Sequence, residues 1–143
     1  MGVWGAAILS STTTIAEIET EVNTLTATNW NNAIALGKEL IGDKLELLLT
    51  SKGIKVDESG GEVLLDVILN PTVFNRSSDY LVLSSIYEDL SQGMDGLYKI
   101  KAEKYDAKFT LKFAEDLERM NLDTNLDSAA DIYRFSAVGE LSR

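Results

Sequence analysis

Apolar residues recur at helical spacing along most of the chain, most strongly near its C-terminal third. Tyr98, Ala102, Tyr105, Phe109, Phe113, Leu117 and Met120 follow one another at intervals of three or four residues, which places them on one face of a long helix. Just upstream, Tyr80, Leu83, Ile86, Tyr87 and Leu90 mark a second helix, with Ser77 or Ser78 as its expected N-cap and Gly93 and Gly96 flanking the turn that follows. Leu81 and Val82 are apolar outside that stripe, so this helix is expected to be covered on more than one side. Each helix carries two tyrosines one heptad apart, Tyr80 with Tyr87 and Tyr98 with Tyr105. Two turns return a side chain to nearly the same face, so the four are expected at the seam between the helices.

The upstream half adds two more helices. Ser11 to Thr14 offers a choice of caps, with Thr14 and Glu17 at capping-box spacing, and Ile15, Ile18, Val22 and Leu25 mark the face of a short helix. A longer one is expected from near Asn29 to about Lys52, with Gly53 ending it. It carries two apolar stripes. Trp30, Ile34, Ile41, Leu45 and Leu48 form the first, and Ala33, Leu36, Leu40 and Leu47 form the second, about 100° around the axis. Two stripes imply neighbours on two sides and make this the expected central helix. Gly37 on the first stripe would permit close approach of another helix, at about 1 kcal/mol of helix propensity.

The remaining segments are less regular. Residues 54–61 read as a polar loop, in which Gly60–Gly61 lacks the preceding strand and following lysine of a phosphate-binding loop. Glu62 to Leu69 reads as a short apolar helix, with a buried strand as the alternative, and Asn70–Pro71 stops it. After Met120, Asp123, Asn125, Asp127 and Asp131 match four positions of a calcium loop. Ser128 and Arg134 stand where such a loop needs glycine and a bidentate glutamate, so the segment is expected to be an acidic connector. Ile132, Tyr133, Phe135 and Val138 then have β-type character. They would lie on the bundle, stay disordered or add as a strand to another chain. At the other end Trp4, Ile8 and Leu9 either fold back onto the core or form an arm that packs on a partner. The expected architecture is all-α: an antiparallel bundle of four to five helices over residues 1–120 with an apolar N-terminal arm, then a polar turn and extended arm over 121–143 with room for one short β-strand.

Composition narrows the function. The chain of 143 residues has no histidine and no cysteine, which removes the commonest general base and metal ligand near neutral pH and all thiolate chemistry. No cofactor or metal is expected. Neither a signal peptide nor a membrane span is expected, and the reading is of a soluble protein made in the cytoplasm. The net charge of −10 argues against gripping nucleic acid by phosphate neutralisation. Charge is uneven: residues 54–93 hold two basic and seven acidic groups, whereas Lys101, Lys104, Lys108, Lys112 and Arg119 share one stripe of the last helix. Two readings of that stripe stand: a solvated face with local pairs such as Lys112–Asp116, or a contact with an acidic surface on another subunit.

The order of parts is similar to that of the head–tail connector (adaptor, or head-completion) proteins of tailed bacteriophages. The resemblance rests on Ile68 with Asn70–Pro71, on Tyr80 to Leu83 and Ile86 to Leu90, on the Tyr98–Lys101–Tyr105 stretch, and on the polar-then-extended C-terminus ending in Arg143. It spans most of the chain and consists of packing signatures. The apolar, tryptophan-containing N-terminus departs from that pattern. The resemblance implies a structural virion protein at the capsid–tail junction. Its subunits would form a ring, usually twelve-fold, bound to the portal on one side and a tail-completion protein on the other, with double-stranded DNA passing through without sequence-specific binding. Asp131–Arg143 would be the segment that engages the portal. Candidate subunit or portal contacts are then the five cations of the last helix together with Ile132, Tyr133, Arg134, Phe135, Val138, Leu141 and Arg143.

Two other classes stay in play. One is a small intracellular helical interaction module, regulatory or antitoxin-like, recognisable as a stable monomer or dimer. The other is an enzyme built on carboxylates such as Glu17, Glu21 and Asp116. Without histidine these make no paired metal motif, so the expectation is of a non-enzyme.

Overall fold

The computed structural model describes residues 4, 7–19, 30–53, 58–59, 62–63, 68–91 and 96–122. It is an all-α bundle. Helix α1 spans Thr12–Ile18, α2 Asn31–Ser51, α3 Asn75–Ser91 and α4 Gly96–Arg119, with a short 3₁₀ helix at Pro71–Phe74 leading directly into α3. The Gly93 turn, Val22 and Leu25 of the first expected helix face, the calcium-loop-like segment and the C-terminal arm lie outside the described residues.

Helices α3 and α4 form an antiparallel hairpin whose seam is aromatic. Ring centroids of Phe74 and Phe113 lie 5.6 Å apart, those of Tyr80 and Tyr105 6.1 Å, and those of Tyr87 and Tyr98 5.8 Å. The upper and lower members run in opposite directions along the chain, which fixes the register. The tyrosines therefore stand where the heptad spacing put them. Each such contact adds about 0.5–1.5 kcal/mol beyond its buried area. Ser84 Oγ also donates across the seam to the Ala102 carbonyl at 3.0 Å.

The central helix is α3, not α2. Helices α1, α2 and α4 and the 3₁₀ turn all pack on it, and its buried residues encircle it: Ser77, Ser78, Asp79, Val82, Leu83, Ile86, Tyr87 and Ser91. The small serines let neighbours approach on sides where the apolar stripe alone would not predict contact. Ser77 and Ser78 are accordingly interior residues, not caps. The 3₁₀ turn runs into α3 without a break, with Asn75 already helical (φ −57°, ψ −49°), and Ser77 Oγ donates to the Phe74 carbonyl.

Helix α2 turns its first stripe inward: Gly37, Ile41 and Leu45 are fully enclosed and Trp30, Ile34 and Leu48 partly buried, and Leu49, outside that stripe, is enclosed as well. Gly53, at φ +77°, follows its last turn in the left-handed conformation that ends many helices. Most of its second stripe meets no neighbour among the described residues: Leu36, Leu40 and Leu47 are exposed, and only Ala33 packs on the core. Among the described residues, the expectation of a partner on both sides is thus met fully on one side only.

Helix α1 is capped by Ser11, and the reciprocal partner is Thr14 instead of the Thr14–Glu17 pair. Thr14 N–H donates to Ser11 Oγ and Ser11 N–H to Thr14 Oγ1, so at the third helical position a hydroxyl does what a glutamate usually does.

The run beginning at Glu62 is not a helix at its described ends. Glu62–Val63 pairs antiparallel with Glu58–Ser59, and Ile68 forms an isolated antiparallel bridge with Leu122. Branched residues at 63, 67 and 68 favour extended backbone, and Pro71 blocks helical continuation. Asn70 secures the end of α4: its side-chain amide donates to the Arg119 carbonyl and its carbonyl accepts from Asn121 N–H, both at 2.8 Å. Leu122 is wholly buried, so the packed structure continues past Met120.

The N-terminal residues dock on the bundle. Trp4 and Leu9 join the cluster of Ile41, Leu45, Leu49, Ile68, Phe74, Phe109 and Met120. Lys38 fastens them by donating to the Ala7 carbonyl at 2.7 Å while its Nζ lies 5.7 Å from the Trp4 ring centroid.

Candidate interaction surface

The cationic stripe of α4 borders the aromatic seam. Lys104 Nζ lies 5.2 Å from the Tyr105 ring centroid, and Lys108 Nζ 5.6 Å from that of Tyr80. Both lysines are exposed, so each such contact is worth about 0.5–1 kcal/mol. Lys101 is half-buried between Glu19, at 3.5 Å, and the Tyr87 ring, at 5.2 Å. Lys112 pairs with Asp116 at 3.4 Å, the local pair the sequence suggests. Arg119 is exposed in the last turn.

Two carboxylates do work the sequence does not announce. Glu19, just past α1, accepts a hydrogen bond from the Tyr105 hydroxyl at 2.5 Å. Burial, and then the neighbouring Glu19 carboxylate, push the Tyr105 phenol above its ordinary range, which leaves it a donor and not a base. Asp79, buried in the first turns of α3, accepts from Ser10 Oγ at 2.7 Å and Thr14 Oγ1 at 2.9 Å on one oxygen, and faces Arg76 at 3.8 Å with the other. Since the Ser10 proton serves Asp79, Ser78 donates to Ser10 across their 2.7 Å contact. Burial raises the Asp79 carboxyl, and the two hydroxyls and Arg76 pull the other way. These groups fasten α1 to the hairpin. Asp116 is fully buried: neither oxygen has a hydrogen-bond partner of good geometry, and burial raises its carboxyl above the usual range, partly offset by Lys112.

What the described residues offer a partner is apolar. On α4, Leu97, Ile100 and Leu111 are exposed, Leu111 at 71%, and Ala107 and Ala114 continue the row. Its spacing of three and four residues, with Lys104 completing it, is that of a packing seam. It lies roughly opposite the face that enters the bundle. On α2, Leu36, Leu40 and Leu47 form the second row, Leu47 at 72%. At its upstream end a cavity of about 430 Å³ opens between α2 and α3, with Trp30, Ala33 and Leu36 on one side and Ser85, Glu88 and Asp89 on the other.

Of the candidate contacts at the N-terminus, Trp4 and Leu9 are occupied by the chain's own core, and Ile8 alone is exposed. Ile132, Tyr133, Arg134, Phe135, Val138, Leu141 and Arg143 lie outside the described residues. The apolar row on α4 was readable from its spacing, whereas the outward turn of the α2 row depends on which helix takes the centre. Among the described residues no group of three or more acidic side chains is gathered to hold a metal ion, and no helix is long and apolar enough to cross a membrane. No protein-family model, curated protein or solved structure matches the chain.

Proposed function

We propose that this protein is a structural virion component, a subunit of the ring that joins a bacteriophage head to its tail. The observation that carries the reading is the pair of exposed apolar rows on α2 and α4. A chain with two different apolar surfaces and an otherwise well-packed core suits head-to-tail assembly, in which one surface of a subunit meets a different surface of the next. The sequence resemblance supplies the setting: a portal on one side, a tail-completion protein on the other, and duplex DNA through the middle. A net charge of −10 would keep phosphates from adhering to the channel wall.

The test is to mix the purified chain with portal oligomers and examine the mixture by electron microscopy and sedimentation. A ring of added density on one end of the portal supports the reading, and removal of residues 131–143 should abolish docking while leaving helical content unchanged. A chain that ignores the portal and stays a monomer or dimer would instead be a small helical interaction module.

A further inference from the structure

We infer that the α4 row of one copy seats against the α2 row and adjoining cavity of the next. Leu36 to Leu47 covers about 16 Å of helix and Leu97 to Leu111 about 21 Å, so the rows can lie along one another. Charge then selects the pairing. Glu39, Asp43 and Glu46 stand along one edge of the α2 row, and Glu88 and Asp89 rim the cavity at its end. Among the described residues none of these five acids forms a salt bridge. Lys104 and Lys108 stand along the α4 row, both exposed. Antiparallel packing of either row on its own copy would set acid against acid or lysine against lysine. Packing α4 on α2 sets lysine against acid and buries leucine against leucine. The contact joins unlike surfaces and therefore propagates from copy to copy. Its closure into a ring rests on the connector reading, but the contact itself needs only a second copy.

The chain has no cysteine, so introduced thiols report without background. Leu40 and Ala107 lie near the middle of their rows, and a link between them does not depend on which way the helices run. Full-length chain carrying both Leu40→Cys and Ala107→Cys should, on mild oxidation, give a ladder of disulfide-linked multimers, while each single variant stays unlinked. Separately, Lys104→Glu with Lys108→Glu should weaken self-association at low salt by about ten-fold or more. Adding Glu39→Lys and Asp43→Lys to that variant should restore it, with circular dichroism checking the fold of each. Dimers from a single-cysteine variant would overturn the pairing in favour of a symmetric contact. A chain that is monomeric at high concentration, or charge reversals that do not compensate, would also overturn it. Self-association by this route without portal binding would remove the connector reading alone. Portal binding without the double-cysteine ladder would remove the pairing alone.

Discussion

Gly37 of α2 lies so close to Val82 of α3 that a Cβ added to the glycine would stand 2.8 Å from Val82 Cγ2. Val82 is fully buried and branched at Cβ, so it has little room to turn aside. Gly37→Ala gains about 1 kcal/mol in helix propensity and meets an overpacking cost of about 1–3 kcal/mol. We expect a net loss of about 1 kcal/mol in urea unfolding. Combining it with Val82→Ala should cost less than the sum of the two single changes.

Tyr105→Phe keeps the ring stack on Tyr80 and Tyr87 and removes only the donor to Glu19. The half-buried carboxylate then relies on Lys101. The expected loss is about 1–2 kcal/mol, against about 3–5 kcal/mol for Tyr105→Ala, which empties the seam. Because the phenol is raised in the fold, its contribution is complete below the ordinary tyrosine value of 10.0 and is lost as pH rises above it. Tyrosinate absorbance in an alkaline titration should therefore show Tyr105 ionising last.

Asp79→Ala strips the Ser10 and Thr14 hydroxyls and Arg76 of their common acceptor. We expect a loss of about 2–4 kcal/mol, with amide exchange accelerating first across Thr12–Ile18, since these bonds hold α1 to α3. Asp79→Asn should cost less, because burial already disfavours the charge.

Asp116 makes the opposite prediction in sign. Its carboxyl is raised in the fold, so its stabilising effect is present below the ordinary value of 3.8 and is lost as pH rises through the folded value. Asp116→Asn should raise the melting temperature at pH 7 and leave it nearly unchanged near pH 3. A loss at pH 7 would mean that the Lys112 pair outweighs the burial cost.

Asn70→Ala removes both hydrogen bonds at the end of α4. The expected loss is about 1–3 kcal/mol, with faster amide exchange at Leu69 and Asn121, whose backbone groups meet at 3.0 Å.

Much of the bundle was legible because it rests on spacing. The four tyrosines, the α4 face from Tyr98 to Met120 and the close approach at Gly37 all follow from a 3.6-residue period. What did not follow was the allocation of neighbours. The α2 sequence offers two apolar stripes and cannot say that one faces outward, because that depends on α3 occupying the centre with serines. Local propensity misled at Glu62, where short-range apolar spacing fits helix and strand alike. Carboxylates such as Glu19 and Asp79 look like ordinary surface charges until the fold brings Tyr105 or Ser10 to them, 86 and 69 residues away in sequence.

The bridge between Ile68 and Leu122, with Asn70 holding the backbone beside it, turns the end of the bundle into a fixed tether point. The 21 residues from 123 to 143 can extend at most about 70–75 Å from it. Whatever those residues touch, in this copy or another, must come within that radius of the 3₁₀ corner. The Ile68–Leu122 bridge thus sets the range of every residue that follows it.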